Sequence, residues 1–434
     1  MKKIGIRIED KYLMERRVAI IPKHMSDLSH NDITFEVESS SKRVFSDEDY
    51  KKSGISVVPK LDKPDIIFGV KEMPIDFFEE DKTYVFFSHT IKGQDYNMPL
   101  LKRMIEKKIN LIEYEKITDD DGKRLIFFGR FAGLAGMINS FWSYGQRCKL
   151  NGVESPFNHL KQSHKYKSLE DAISDIKIAA NNLKQNGLND DLAPLTIGFT
   201  GYGNVSKGAQ EISDIMPTVE ISPEELLSLR TNKEYRNDCV YKVVFKEEHI
   251  SKPKDSSMDF ELQHYYNHPE FYKNNFEQYV PEISILMNCM YWAPEYPRII
   301  TKDLLYKLNK EGNSKLCVIG DVTCDPDGSI ESTHLGTYIE DPVYVYNPET
   351  RAATMGFSGK GILTMAVDIL PSELPKEASE AFSEALKPYI TGLANTDFDL
   401  SFDELDIPEP FKRALILHKG DFTPNYKYME DFLK

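Results

Sequence analysis

The stretch PLTIGFTGYGNVSKGAQEI, residues 194–212, constrains the fold of this chain more than any other. A short apolar run over 194–200 goes straight into Gly201-Tyr-Gly203, and helical spacing of apolar residues resumes at Val205. Two glycines at a strand-to-helix turn let the backbone approach a pyrophosphate, which then rests on the positive helix N-terminus. The pattern predicts a dinucleotide-binding βα unit. The sixth position of a complete Gly-x-Gly-x-x-Gly is Ser206, small enough for close packing, and the next glycine is Gly208. The following strand is expected at 218–221. About 20 positions past the first glycine such a strand brings the group that reads the adenine ribose. Glu220 is near that spacing, but the strand end falls at Ser222, before Pro223. A neutral end removes repulsion toward a 2′-phosphate and leaves NADP open, with no arginine clamp to settle it.

The rest of the chain has matching texture. The first 130 residues alternate short apolar runs (KIGIRI, ITFEVE, PDIIFGV, TYVFFS, NLIEY) with helical segments such as 98–108, which favours a largely parallel α/β sheet. The stretch 131–150 reads as a helix whose glycines and alanines allow close packing, and Ser168 as the N-cap of another that ends at Gly187. Residues 222–275 are charged, aromatic-rich and irregular, an elaboration on the second domain. Strand-like runs return at 283–292 and 315–325, followed by hairpin-like strands, a glycine-rich turn at 357–361 and a helix-rich tail. The fold class is therefore α/β, with two Rossmann-like domains and a cleft between them. The first domain is expected to combine 1–135 with about 345–434, and the dinucleotide-binding domain to span about 136–344.

Charge and cysteine usage narrow the partners. A net charge of −15 argues against nucleic acid or an anionic membrane as the main partner. The five cysteines are scattered with no CxxC pair, which points away from a zinc ribbon or a disulfide scaffold. His264 and His268 are four apart, but Pro269 follows and no acidic partner is evident, so no metal is expected. The N-terminal MKKIGIRIED enters a strand pattern directly, and every apolar run is too short to span a bilayer, so a cytoplasmic protein is expected.

The predicted strand ends of the first domain carry polar groups: Glu15-Arg16-Arg17, Lys71-Glu72, His89 and Glu115. Ligands of open parallel sheets bind at the carboxyl ends of strands. Singly, each residue has an ordinary reading as a surface lysine, a hydrogen-bonded histidine or a salt-bridge partner. Together, lysine, histidine and glutamate at one sheet edge suit acid–base chemistry.

With these residues assembled, the chain resembles the lysine–ketoglutarate reductase domain of bifunctional aminoadipic semialdehyde synthase. More distantly it resembles the fungal lysine-forming saccharopine dehydrogenases, in the alanine dehydrogenase/transhydrogenase-like group. The resemblance covers essentially the whole chain and rests on ERRVAIIPKH (15–24), GVKEMP (69–74), FFSHTIKGQ (86–94), YEK (114–116), FGRFAGLAGMIN (128–139), FTGYGNVSKGAQ (199–210), GDVTCDPDGSIE (320–331) and DILPSELPKEASEAF (368–382). It implies reductive condensation of L-lysine with 2-oxoglutarate to saccharopine. By the same carry-over Lys71 and His89 are the acid–base pair, Glu115 adjusts Lys71, Arg17 and Arg124 bind substrate carboxylates, and Phe128 lines the substrate site. Gly201, Gly203, Asn204 and Val205 hold the pyrophosphate, and Asp321 and Thr323 sit near nicotinamide and ribose. The reductase branch implies NADPH, with NADH as the alternative. Ser222 departs from the acid that the fungal enzymes place there, and also from reductase domains that carry glutamate. A separate glutamate-forming saccharopine dehydrogenase is the expected partner on the product side. The competing readings are an opine-type dehydrogenase for another amine and oxoacid, and a non-catalytic nucleotide-binding relative.

Overall fold

The computed structural model describes residues 2–29 and 33–434. The chain forms two compact units, Met1–Phe128 with Pro375–Lys434, and Gly129–Leu374. The first is built on strands β1 (Lys2–Ile6), β2 (Ile33–Glu38), β3 (Ser56–Val58), β4 (Ile66–Phe68), β5 (Thr83–Phe86) and β6 (Asn110–Glu113). They pair in the order β6-β5-β4-β1-β2-β3, all parallel. Every residue of β4, β5 and β6 is buried, as in central strands of a parallel sheet covered on both faces, Thr83, Asn110 and Glu113 included. Strand Leu415–His418 of the tail adds antiparallel to β6. The tail helix Pro375–Asn395 buries Phe382, Leu386, Ile390 and Leu393. Its Ser379 and Ser383 hydroxyls accept the backbone N–H groups of Val18 and Ile21 at 3.0 Å, which fixes the segment after β1.

The second unit contains β7 (Leu195–Thr200), β8 (Thr218–Glu220), β9 (Val240–Phe245), the small pair β10 (Ser251–Pro253) and β11 (Tyr272–Asn274), β12 (Ile285–Asn288), β13 (Val318–Asp321), β14 (Val343–Asn347), β15 (Ala352–Met355) and β16 (Ile362–Met365). The main sheet runs β15-β14-β16-β13-β12-β7-β9-β8. Two features differ from expectation. The strands over 343–365 pair within this sheet, so the tail that returns to the first unit begins at Pro375 rather than near 345. The 222–275 segment is also not wholly an elaboration, since β9 pairs with β7 along its full length, Leu195↔Val240 to Thr200↔Phe245. Charged sequence on both sides hides that strand: its residues are largely buried while Lys246 beside it is exposed.

The helix Asn204–Ser213 packs on the long helix Gly129–Leu150 at a distance only glycine allows. A Cβ on Gly208 would lie 2.1 Å from the Arg130 carbonyl oxygen, and one on Gly133 would lie 1.9 Å from that of Val205. This contact holds the start of the Asn204–Ser213 helix, and with it the glycine turn, against the sheet. Among the described residues no helix is long and apolar enough to cross a membrane.

Gly208→Ala is expected to lower unfolding stability by about 1–3 kcal/mol, the usual cost of overpacking. Gly203→Ala, with nothing within 4 Å of the added Cβ, is expected to unfold like the wild type. Urea denaturation of the two variants side by side checks both.

Candidate functional site

Because β6, β5, β4 and β1 are adjacent and parallel, the residues that follow them emerge along one sheet edge. His89, after β5, has a left-handed backbone (φ +52°), and Asn97 Nδ2 donates to its carbonyl at 3.1 Å. Its Nδ1 lies 2.7 Å from Oε1 of Glu72, which follows β4, and the same oxygen takes Lys11 Nζ at 2.6 Å. Burial opposes ionisation of Glu72, but the hydrogen bond and charge of His89 and the Lys11 ammonium outweigh it and hold the carboxyl at about 2. Glu72 is thus the carboxylate bonded to His89 and Lys11. The sequence places it beside Lys71, yet spacing alone does not show which way a residue past a strand end turns.

Lys71 is half-buried, its ammonium 5.7 Å from the Tyr12 ring centroid. Its backbone N–H donates to Glu9 Oε2 at 3.0 Å and that of Val70 to Glu9 Oε1 at 2.6 Å. Burial, reinforced by the charge of Glu15, raises the Glu9 carboxyl to about 7 despite these bonds. Glu15 is pulled the other way: burial opposes its ionisation, and Arg17 overcomes it, with a smaller contribution from Lys71. The carboxylates set around Lys71 therefore include Glu9, through its backbone, and Glu15, through charge. Sequence motifs assign neither of them this role.

Arg17 is buried, with Nε 2.8 Å from Glu15 Oε1 and Nη2 2.6 Å from Oε2. Its guanidinium lies 4.2 Å over the Phe128 ring, and Phe128 stacks on Phe382 at 4.3 Å. The guanidinium expected to meet a carboxylate is already matched by one. Arg124 is the more open of the two, 44 % exposed and 3.9 Å from Glu115 Oε1, so Glu115 has its ion pair with Arg124.

In the second unit, Gly201 takes φ +77°, and Gly203 caps the Asn204–Ser213 helix with no side-chain hydrogen bond to its first N–H groups. Gly203 and Asn204 are exposed and Val205 is half-buried. Open space where a Gly203 side chain would stand, beside uncapped N–H groups, fits a phosphate. Beside the turn is a cavity of about 470 Å³, lined by residues that follow the three neighbouring strands β9, β7 and β12: Glu247, Gly201, Gly203, Met290 and Tyr291 among them. Ser222 is elsewhere. It lies just past β8, the outer edge strand, and its hydroxyl accepts the Glu225 N–H as the cap of the helix Pro223–Asn232. Glu220 pairs with Lys242 at 3.0 Å. Because β9 takes the place beside β7, β8 stands roughly 10 Å from β7 in the hydrogen-bonding direction. Counting residues from the first glycine could not reveal the intervening strand. Asp321, at the end of β13, is buried and accepts hydrogen bonds from Asn288 Nδ2 (2.9 Å), Thr323 Oγ1 (2.6 Å) and Thr333 Oγ1 (2.6 Å). His264 Nδ1 lies 3.0 Å from the Tyr272 hydroxyl.

One unit with a largely parallel sheet and a glycine turn at a helix N-terminus, and one whose largely parallel sheet gathers histidine, lysine and carboxylates at one edge, define a two-unit dinucleotide-binding α/β protein. Family models specify it further: the Alanine dehydrogenase/PNT N-terminal domain matches residues 5–135 and the C-terminal domain residues 263–425. The chain belongs to the alanine dehydrogenase/PNT family. It is 35 % identical to Alpha-aminoadipic semialdehyde synthase of Arabidopsis thaliana over 98 % of its own length and 41 % of the relative. To the mitochondrial Alpha-aminoadipic semialdehyde synthase of Mus musculus it is 32 % identical, covering 98 % and 47 %. The chain thus spans about half the length of these curated relatives. Saccharopine dehydrogenase [NAD(+), L-lysine-forming] of Schizosaccharomyces pombe is 26 % identical, with 91 % and 94 % covered. Among solved structures, an L-alanine dehydrogenase superposes over 100 % of both chains with a TM-score of 0.64 and 18 % identity, a likeness of fold.

Since the folded value of Glu72 is depressed, its ionised form stabilises the protein above about 4.5, and that stabilisation is lost as pH falls toward about 2. Glu72→Gln is expected to be less stable than wild type by about 3 kcal/mol at neutral pH. The difference should shrink as pH falls below about 4.5, which urea denaturation across that range will measure.

Proposed function

We propose that this chain catalyses the reductive condensation of L-lysine with 2-oxoglutarate to saccharopine. The observation that carries the proposal is the hydrogen-bonded set at the ends of β4 and β5, where Lys71 adjoins Glu72 and Glu72 holds His89 Nδ1 at 2.7 Å. The names of the relatives, Alpha-aminoadipic semialdehyde synthase and lysine-forming saccharopine dehydrogenase, support the choice of substrates.

The ε-amine of lysine adds to the ketone carbon of 2-oxoglutarate, the carbinolamine loses water, and the resulting imine is reduced to the secondary amine. A reduced nicotinamide supplies the hydride when bound. The remaining steps are proton transfers, and they need one group that accepts and one that donates. With Nδ1 engaged by Glu72, His89 has Nε2 to exchange protons with carbinolamine and product nitrogen. Lys71, in the field of Glu15 and with its backbone held by Glu9, serves as the other member. Arg124, exposed beside Glu115, is the more available guanidinium for a substrate carboxylate. Arg17, paired with Glu15 and stacked on Phe128, shapes the wall behind it. Gly201, Gly203 and the N-terminus of the Asn204–Ser213 helix would hold the pyrophosphate. Ser222, whose neutrality favoured NADPH, lies beside the edge strand and lends that preference no support. The saccharopine formed would pass to a glutamate-forming saccharopine dehydrogenase.

Oxidation of a reduced nicotinamide dinucleotide is expected only when lysine and 2-oxoglutarate are both present. Lys71→Met and His89→Gln should each lower kcat about 100-fold or more while circular dichroism shows both variants still folded. Wild-type rates in both variants would remove them from the chemistry. Turnover with a different amine and oxoacid, but not with this pair, would replace the substrates.

A further inference from the structure

The strand that lies beside the glycine-turn strand is β9, and the chain leaves β9 through Lys246 and Glu247. In a dinucleotide-binding sheet the residue just past that neighbouring strand meets the adenine ribose. Glu247 is half-buried and lines the 470 Å³ cavity together with Gly201 and Gly203. Its Oε1 accepts the Tyr266 hydroxyl at 2.7 Å and, at 3.5 Å, that of Tyr202, the residue between the two glycines. Neither bond uses Oε2. The remaining wall is apolar and aromatic: Ile250, Tyr265, Met290 and Tyr296. Its size and lining suit a nucleoside, with a flat base against rings and a polar sugar at the carboxylate.

We propose that Glu247 reads the adenosine ribose and selects the dinucleotide without a 2′-phosphate, with Tyr266 holding the carboxylate in position. The inference rests on the cofactor half of the function proposed above and is independent of its substrates. A ribose diol offers two hydroxyl donors to a carboxylate, whereas a 2′-phosphate would bring like charge against it. Tyr266 belongs to the helix Leu262–Asn267, which lies between β10 and β11. The elaboration on this unit therefore fixes the residue that discriminates between the two coenzymes. Lys246, exposed and adjacent, is the cation a phosphorylated cofactor would recruit, and it is not among the residues lining the cavity.

The test is calorimetric binding of ADP-ribose and of ADP-ribose 2′-phosphate to the full chain, neither of which can turn over. Wild type is expected to bind ADP-ribose about tenfold or more tightly than the phosphorylated compound. Glu247→Gln should close most of that gap, Tyr266→Phe should narrow it several-fold, and Lys246→Ala should leave it in place. A wild-type preference for the phosphorylated compound, or a ratio unmoved by Glu247→Gln, would overturn the proposal. Selective ADP-ribose binding without turnover of lysine and 2-oxoglutarate would sink the reaction and leave Glu247 its role. Turnover that prefers NADPH would do the reverse, and failure of both compounds to bind would remove Glu247 from its role whatever the turnover.

Discussion

Hydrogen bonding between parallel strands brings the carboxyl ends of neighbours to the same edge of a sheet, and the chemistry of each unit depends on which strands are neighbours. In the first unit the order β6-β5-β4-β1 gathers Glu113, His89, Lys71, Glu9 and Glu15 from segments more than a hundred residues apart at the extremes. In the second, the order β9-β7-β12 sets Glu247, the glycine turn and Met290 around one cavity. Inserting β9 between β7 and β8 changes which acidic residue meets the turn.

At the first unit's edge, basic side chains are matched by carboxylates before any substrate arrives: Arg17 by Glu15, His89 and Lys11 by Glu72, Arg124 by Glu115. Burial explains the buried pairs, because an unpaired ion there would be costly. Two carboxyls lack a comparable match. Burial raises Glu9 to about 7, and it raises Glu113 despite the Ser88 hydroxyl bond. A raised carboxyl acts with the opposite sign to Glu72: ionising Glu9 weakens the fold as pH rises from about 4.5 to about 7. The position of the Lys71 backbone, held by Glu9, is thus maintained at some cost in stability.

The 222–275 segment joins fold and recognition. Its first part supplies the edge strand's capped helix, its middle supplies β9, and its last part supplies the tyrosines of the cavity wall. Charge and aromatic content give it the look of an irregular insertion. The same residues are charged where Lys246 and Glu247 leave the sheet and aromatic where Tyr265 and Tyr266 line the cavity.

The sequence by itself determined what local physics controls. It showed the α/β texture, the glycine turn, the close packing of the helix that contains Gly133, the Ser168 cap, and the polar character of the strand ends after β4, β5 and β6. Those features depend on residues close in the chain, where spacing and side-chain size suffice. Tertiary structure alone decided that Glu72 holds His89, that Arg17 is buried against Glu15 while Arg124 is exposed beside Glu115, and that Ser222 caps an edge helix while Glu247 reaches the turn. Each of these depends on strand order or on the direction a side chain takes beyond a strand end. Both are set by pairing between distant segments, which no count along the chain contains.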